Sequence, residues 1–340
     1  MHRLSGLRGL STGFGSGSGK VILAGEHAVV YGMPALAAAI DRGATAHVRE
    51  ADGPSILRLR LGPGVPICVE AGAPGDPAGR ALAALMTSVR RCHDLRAVEV
   101  DAQTNLPAGA GLGCSAALGV AIARGVCGLC GGIGDAEALA HAAAWERVFH
   151  GTPSGVDAAA AGLGGTLLFR RNGRHGVVRP VTTTTPLLLA IGHSGCSSST
   201  KAMVDSVARL RDKQPERVRR TFNAIHAVVR GAQRAIEKGD LCTLGRLLDS
   251  NQDLLADLRL STPEIESMCH SARAAGALGA KLTGAGGGGC VIALAETRKV
   301  GQAVLDAWKG AEKAGFIAEL QSRCAAAREA RPTTPRRSRA

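Results

Sequence analysis

The most informative segment of this 340-residue chain is a glycine-rich run, Leu106-Pro-Ala-Gly-Ala-Gly-Leu-Gly-Cys-Ser-Ala-Ala117. A stretch of alternating apolar residues, predicted as a strand (97–104), comes before it, and an apolar stretch predicted as a helix (115–126) comes after it. Its three alternate glycines lack a Cβ and can adopt unusual φ angles, which lets backbone N–H groups face an anion. The helix adds its free N–H groups and the positive end of its dipole. This setting favours a loop that cradles phosphate groups, the alternative being a flexible turn capped by Ser115.

The run differs from two better-known phosphate-binding motifs. A Walker A loop needs Gly-x-x-x-x-Gly-Lys-Ser/Thr, but around Gly19 the chain has Phe14 in place of the first glycine and Val21 in place of the hydroxyl residue. A dinucleotide fingerprint needs a third glycine where this chain has Cys114. The loop therefore belongs to another class of phosphate site.

A second glycine-rich run, Lys281-Leu-Thr-Gly-Ala-Gly-Gly-Gly-Gly-Cys290, leads into a predicted strand. Five glycines among six residues are destabilising unless the backbone must approach something closely. A flexible linker is the alternative, but a linker is uncommon between a helix and a buried strand. The run predicts a second loop beside a ligand.

Two polar clusters accompany these loops. The first runs from Glu146, at the end of a predicted helix, to Asp157, at the start of the next helical segment. One acid could hold a divalent cation while the other accepts a proton, although an Asp at a helix start commonly serves as a cap. The second cluster contains Lys20, Glu26 and His27, which taken alone would be a surface lysine and a polar turn.

Composition limits the class of ligand and the compartment. The net charge of +13 favours an anionic partner, and eight aromatic residues are too few for base-stacking platforms, so a phosphorylated small molecule is favoured over nucleic acid. The only C-x-x-C pair, Cys127 and Cys130, lacks the second pair of a zinc ribbon, and His141 is the lone candidate ligand near it. No apolar run is long enough to span a bilayer and no secretory signal is visible, so we expect a cytoplasmic protein without a membrane partner.

Apolar periodicity predicts strands mixed with helices in an irregular order, which is typical of an α+β fold. The predicted strands are 20–25, 35–40, 44–49, 56–61, 67–70, 97–104, 165–170, 187–191, 289–294 and 317–322. The predicted helices are 80–91, 115–126, 136–149, 201–213, 215–238, 243–258, 263–275 and 297–314.

Together the motifs resemble those of the GHMP small-molecule kinase family. Its three motifs are present at 20–32, 106–117 and 281–290, and the resemblance covers about residues 17–322. The segments Gly19 to Gly32 and His150 to Asp157 are most similar to the mevalonate kinases within that family, and Ser199-Thr-Lys followed by Val204 is similar to a segment after their central strand.

The resemblance implies the GHMP kinase fold, with an N-terminal domain like ribosomal protein S5 domain 2 and a ferredoxin-like C-terminal domain. We expect these ATP-binding and C-terminal domains at 17–185 and 186–324. Residues 1–16 are expected to be a flexible N-terminus, and residues 325–340 a disordered basic tail.

The resemblance also implies roles for individual residues. Asp157 corresponds to the catalytic aspartate and Lys20 to its ion-pair partner, while Ser115 and Glu146 correspond to the Mg²⁺-side residues. ATP would contact Pro107, Gly109, Ala110, Gly111, Leu112, Gly113, Cys114, Ser115, Gly286 and Gly287. The acceptor would contact Glu26, His27, Thr200 and Thr283. Cys114 stands where the family usually has a first serine, and a thiol is the poorer hydrogen-bond donor.

The implied activity is transfer of the γ-phosphoryl group of ATP, with Mg²⁺, to the C5 hydroxyl of (R)-mevalonate, and a homodimer would fit the family. Three alternatives stay open on the residues alone. The chain could be another GHMP kinase, acting on phosphomevalonate, homoserine or galactose. It could be a non-catalytic metabolite-binding regulator. It could also bind nucleic acid through its Arg-rich tail, which is the least favoured.

Overall fold

The computed structural model describes residues 11–62, 64–107, 109–131, 134–150, 155–172 and 175–320, and it contains two β-sheets that share one buried apolar core. The strands of these residues are β1 (Thr12–Ala24), β2 (Pro34–Ala51), β3 (Ile56–Leu61), β4 (Ile67–Glu70), β5 (Ala97–Thr104), β6 (Thr166–Asn172), β7 (His175–Val181), β8 (Leu187–His193), β9 (Gly279–Thr283), β10 (Cys290–Ala295) and β11 (Gly315–Leu320). The helices are α1 (Pro77–Arg90), α2 (Cys114–Leu129), α3 (Asp135–His150), α4 (Val156–Leu163), α5 (Thr200–Lys213), α6 (Pro215–Lys238), α7 (Leu241–Asp257), α8 (Pro263–Ala274) and α9 (Arg298–Gly310), with a short 3₁₀ helix at Ala28–Tyr31.

The first sheet is built around the long strand β2. Its strand order is β4-β3-β5-β2-β6-β7, and β1 pairs with β2 as well. One half of β2 pairs with β5 and the other half with β6, while β1 runs antiparallel along both halves. Strands β3 and β5 are parallel, and the other pairs of this sheet are antiparallel. The apolar helix α2 packs on β1 and β2, which places its N-terminus at the end of β5.

The expectation of a flexible terminus over residues 1–16 is wrong for residues 12–16, because these residues form the start of β1. A Cβ added to Gly13, Gly15 or Gly17 would come within 2.0–2.3 Å of a carbonyl oxygen of α2. The alternate glycines therefore let the strand lie directly on the helix backbone, rather than giving the chain freedom. Residues 1–10 lie outside the described part of the chain.

The second sheet has the order β11-β8-β10-β9, with antiparallel pairing throughout. Numbered by its own four strands, this is the 4-1-3-2 order of a βαββαβ unit, which confirms the ferredoxin-like expectation. Helix α6 packs on α7 and also contacts β1, β2 and β7 of the first sheet. The predicted boundary at 185/186 lies in the connection between β7 and β8, and the division into domains stays a prediction.

The elements confirm the predicted α+β class, with two strands that the sequence analysis did not predict. These are β7 and β9. Because the second glycine-rich run begins within β9, its glycines connect two strands of a hairpin, rather than a helix and a strand. The basic tail predicted over 325–340 lies outside the described residues. In the described ranges, no helix combines the length and apolar character needed to span a membrane.

Candidate active site

The first glycine-rich run forms an open loop that ends at the N-terminus of α2. Gly109, Gly111 and Gly113 all have positive φ, at 72°, 78° and 76°, as predicted for alternate glycines. Between them, Ala110 and Leu112 are buried and anchor the loop in the core. Gly113 is the N-cap of α2, so the free N–H groups and the positive dipole end of that helix lie beside the loop. Ala108 is outside the described residues.

Lys20 and Asp157 form an ion pair next to this loop. The Nζ of Lys20 lies 2.9 Å from Oδ1 of Asp157, and the side chains are 5% and 35% exposed. The backbone N–H of Lys20 donates to the Leu112 carbonyl at 2.9 Å, which holds β1 to the loop, and the Cγ of its side chain lies against Gly113. Asp157 is in the first turn of α4, whose N-cap Gly155 has positive φ. The fold therefore brings together the two residues predicted to carry the chemistry, from strand and helix positions 137 residues apart in the sequence.

Ser115 and Glu146 form the other half of the site. The Ser115 hydroxyl donates to Oε1 of Glu146 at 2.7 Å. Burial raises the pKa of Glu146 above its ordinary value, the hydrogen bond from Ser115 opposes this, and the charge of Asp157 raises it further. The negative charge of Asp157 therefore acts on the Glu146 carboxyl. The indole of Trp145 donates to the Ser115 carbonyl at 3.1 Å and ties α3 to the start of α2.

Cys114, the departure from the family pattern, faces the sheet. Its Sγ lies 4.0 Å from the Thr104 hydroxyl, and burial raises the pKa of the thiol. The side chain packs against the apolar core. The Cys114 thiol is therefore neutral and packed towards the core.

The second glycine-rich run packs against the first through backbone atoms. A Cβ on Gly111 would lie 3.3 Å from the Thr283 carbonyl oxygen, and one on Gly289 would lie 3.4 Å from that of Ala110. On its other side the run contacts the segment that leads into α5: the Ser198 hydroxyl donates to the Gly286 carbonyl, and Gly287 lies against Met203. The second loop therefore packs between the first loop and the N-terminal end of α5.

A buried ion pair that the sequence analysis did not predict joins the two sheets below the loops. Lys281 of β9 donates to Glu26, and both side chains are 0% exposed. The other carboxylate oxygen of Glu26 accepts from the Asn251 amide at 3.1 Å, and Lys281 also donates to the Ile22 and Leu282 carbonyls. The glycine-rich motif around Lys281 is evident in the sequence, but nothing local to it reveals a partner 255 residues away.

The four predicted acceptor residues lie in different environments. Glu26 is committed to the buried pair, and the Thr283 hydroxyl both accepts from the Ile22 N–H at 2.8 Å and donates to the Ile22 carbonyl at 3.2 Å. His27 donates through Nε2 to the Ala285 carbonyl at 2.8 Å, and its buried Nδ1 has no hydrogen-bond partner among the described residues. Thr200 is exposed at the first position of α5. Contact of these residues with an acceptor stays a prediction.

Two adjoining cavities open beside the start of the first glycine loop. The larger, about 530 Å³, lies over the middle of β2 and the ends of β3 and β5, and the smaller, about 380 Å³, extends over Pro107 to Phe316 in β11. Arg42, Gly62 and Asn105 line both. The guanidinium of Arg42 stacks over the Phe316 ring at 3.8 Å, so the cavities join the two sheets. Their size is within the range of small-molecule sites, about 300–1,000 Å³. Sequence reasoning missed this space because its lining residues come from seven strands that lie far apart in the sequence.

Comparisons with known proteins place these features in one family. Residues 78–165 match the GHMP kinases N terminal domain, and residues 232–314 match the domain described as GHMP kinases C terminal. The mevalonate kinase of Aeropyrum pernix is 37% identical over 287 residues, which cover 82% of this chain and 87% of that protein. The mevalonate kinase of Methanothermobacter thermautotrophicus is 34% identical over 281 residues, covering 82% and 88%.

A solved structure extends the similarity to the fold. The crystal structure of L. major mevalonate kinase in complex with R-mevalonate matches with a TM-score of 0.82 at 30% identity, and the match covers 94% of this chain and 99% of that one. The sequence matches cover 87% and 88% of the two relatives, and the structural match covers 99% of the L. major chain. This chain belongs to the mevalonate kinase family of the GHMP kinases.

Proposed function

We propose that this protein is an ATP-dependent kinase that phosphorylates the C5 hydroxyl of (R)-mevalonate, in the cytoplasm. The observation that carries the proposal is the ion pair of Lys20 and Asp157, 2.9 Å apart, beside a glycine loop at a helix N-terminus. An isolated anion-binding loop would serve a regulator equally well. A carboxylate paired with an ammonium group beside that loop is suited to activating a hydroxyl for phosphoryl transfer.

The nucleotide would bind across the first glycine loop. Its phosphates would receive hydrogen bonds from the N–H groups of residues 109–115 and from the start of α2. Gly286 and Gly287 of the second loop, which packs against the first, would lie beside them. The base and ribose would occupy the cavities beside Pro107. Arg42 adds a positive charge at the junction of these cavities.

The Ser115–Glu146 pair fits a Mg²⁺ ion. Both donors are oxygens, which Mg²⁺ prefers, and Glu146 is a 2%-exposed carboxylate whose negative charge burial disfavours. Bound there with ATP, Mg²⁺ would neutralise charge on the phosphate oxygens. The hydrogen bond from Ser115 holds the Glu146 carboxylate in one orientation.

Asp157 would accept the proton of the attacking hydroxyl, and Lys20 would stabilise charge on the group in transfer. The alcohol oxygen forms a bond to the γ-phosphorus as the bond to the bridging oxygen of ADP breaks, and the hydroxyl proton passes to a carboxylate oxygen of Asp157. Oδ1 of Asp157 is buried against Lys20, so the exposed part of the side chain is available to the acceptor.

Among the residues predicted to contact the phosphoryl acceptor, His27 has a buried ring nitrogen, Nδ1, with no hydrogen-bond partner among the described residues. Its ring is fixed by the Ala285 carbonyl, and the hydrogen on Nε2 leaves Nδ1 as an acceptor for a substrate hydroxyl. Glu26 would act on the substrate indirectly, because its ion pair with Lys281 fixes the turn that carries His27. Thr283 similarly fixes β1 at Ile22.

The test is ATP-dependent ADP release with Mg²⁺, measured in parallel on mevalonate, phosphomevalonate, homoserine and galactose. Turnover on mevalonate alone is expected. Turnover on another acceptor, or on none of the four, would overturn the proposed substrate. If Asp157 takes the proton, Asp157→Asn should lower kcat by about 10²–10⁴-fold. Lys20→Met should lower kcat more than it weakens ATP binding, and the reverse result would make Lys20 a phosphate anchor only.

A further inference from the structure

A second cluster of polar groups lies at the opposite end of α3 from Glu146. It consists of His93, in the turn after α1, and of Glu137 and His141 in the first turns of α3. The Nε2 of His93 lies 2.8 Å from Oε1 of Glu137, and the Nε2 of His141 lies 3.7 Å from the same oxygen. One atom from each residue fits within 4.8 Å of the other two. Glu137 is nine residues before Glu146 on the helix, about 13 Å along its axis, so the cluster is separate from the candidate active site.

His141 is the unusual member of the cluster. It is 5% exposed, and its Nδ1 lies 2.8 Å from the Ser88 hydroxyl of α1. Its Nε2 is buried, faces Glu137, and has no hydrogen-bond partner among the described residues. A buried polar atom normally has a hydrogen-bond partner, so the unpaired Nε2 of His141 indicates a site where a ligand can bind. With Nδ1–H donating to Ser88, Nε2 carries a lone pair, which is how an outer hydroxyl orients a metal-binding histidine.

We propose that His93, Glu137 and His141 form a binding site for a divalent transition-metal ion of the Zn²⁺ class. Two imidazoles and one carboxylate are a common three-residue set for such an ion, and imidazole favours it over Mg²⁺ or Ca²⁺. Bonds of about 2.0–2.2 Å in a tetrahedral arrangement put the ligand atoms roughly 3.3–3.6 Å apart. The separations of 2.8, 3.7 and at most 4.8 Å bracket that value, so side-chain rotations alone would complete the site.

The partial exposure of the cluster supplies an entry path. His93 is 25% exposed and Glu137 is 43% exposed, while His141 closes the site from below. Water can therefore occupy the fourth position around the ion. In this respect the cluster resembles a three-ligand zinc site with an open position, rather than a closed structural one.

The nearby thiols of the C-x-x-C pair are not part of the site. The charge of Glu137 contributes to raising the pKa of both Cys127 and Cys130, and burial, the larger cause, brings the pKa of Cys127 to about 12. Neutral thiols are poor ligands, and neither sulfur lies within the group of atoms that could share an ion. His141, noted beside this motif in the sequence, therefore pairs with a histidine and a glutamate instead.

An ion at this site would join the end of α1 to α3. Helix α3 continues to Trp145 and Glu146, which contact Ser115 at the start of α2, where the first glycine loop ends. Because the ion binds the folded chain and not the separated helices, its first effect is on stability. At a hundredfold excess over its Kd, Tm should rise by about 4–8 °C.

The test uses the metal-stripped full chain, titrated with Co²⁺ alone as a spectroscopic probe and then with Zn²⁺ in competition and in thermal melts. We expect one ion per chain, visible d–d absorption without a thiolate charge-transfer band, and a Zn²⁺-dependent rise in Tm. His93→Gln and Glu137→Gln each remove a partly exposed ligand and should weaken binding at least 10-fold, and Ser88→Ala should weaken it by about 10–100-fold.

Two control variants separate this site from adventitious binding. Cys92→Ser removes the exposed thiol next to His93, and His270→Gln removes an exposed histidine on α8. Both should keep wild-type binding. The proposal is overturned if the wild-type chain binds no Co²⁺ or Zn²⁺, if His93→Gln and Glu137→Gln bind as wild type does, or if Cys92→Ser abolishes binding.

Discussion

Replacing Gly113 by alanine tests whether the position of Lys20 limits catalysis. A Cβ at residue 113 would lie 2.9 Å from Cγ and 3.4 Å from Cε of Lys20, whereas ordinary contacts begin near 3.4 Å. The Lys20 side chain is only 5% exposed, so it has little room to move aside without loss of its contact with Asp157. Its Cγ must shift by at least about 0.5 Å to restore a normal carbon–carbon separation.

The expected loss follows from two separate effects. A shift of roughly 0.5–1 Å at Nζ would lengthen the 2.9 Å contact with Asp157 and lower kcat by about 10–100-fold, or about 1.4–2.7 kcal/mol of transition-state stabilisation. Alanine at φ 76° also carries a backbone cost of about 1–2 kcal/mol, which appears in the free energy of unfolding. Turnover and stability should therefore both fall, for different reasons.

Gly75→Ala is the matched control. Gly75 has φ 82°, its Cβ would meet nothing within 4 Å, and it lies in the loop before α1. Both variants should lose similar stability in urea unfolding, and only Gly113→Ala should lose kcat in the ADP-release assay. The reasoning is refuted if the two variants turn over equally, or if Gly113→Ala raises KM for ATP at unchanged kcat.

Three further results are expected. Glu146→Gln should raise the Mg²⁺ concentration needed for half-maximal turnover, because it removes the buried negative charge. The measurement is a Mg²⁺ titration at fixed ATP. An unchanged Mg²⁺ requirement would show that Glu146 does not bind the metal. Lys281→Met should lower the free energy of unfolding by about 3–5 kcal/mol in urea, since it leaves the Glu26 carboxylate buried and unpaired, and adding Glu26→Gln should restore part of the loss. Burial lowers the pKa of His27 from its ordinary 6.5, so below pH 6.5 the unfolded chain binds more protons than the folded one and stability falls. His27→Asn, in which asparagine tolerates the φ of 58°, should flatten this fall when Tm is measured against pH. An unaltered slope would contradict the lowered pKa of His27.

The sequence predicts the fold wherever burial follows a local pattern. Strand β5 is predicted with its observed bounds because Val98 and Val100 alternate with acidic residues that face solvent. Strand β9 escapes prediction because Lys281, a charged residue, occupies its fully buried centre. Strand β7 contains Pro180 and Gly176, which are typical of turns. In each failure, a long-range contact or an edge position overrides the local preference.

The sequence likewise predicts some features of the candidate site and not others. The positive-φ loop at Gly109–Gly113 follows from glycine spacing, and the pairing of Lys20 with Asp157 follows from family resemblance. The commitment of Glu26 to a buried lysine could not be predicted from either, because it depends on the docking of one sheet on the other. Asn251 was missed for the same reason, since an amide in the middle of a helix has no distinctive spacing.

The ion pair between Glu26 and Lys281 also has a consequence for synthesis of the chain on the ribosome. The two residues are 255 positions apart, so at about 5–20 residues per second Lys281 is made roughly 13–50 s after Glu26. During that interval the nascent first sheet holds a carboxylate whose buried partner does not yet exist. The turn at Glu26 and His27 must stay hydrated until β9 has been made, and only then can the proposed acceptor side of the site form.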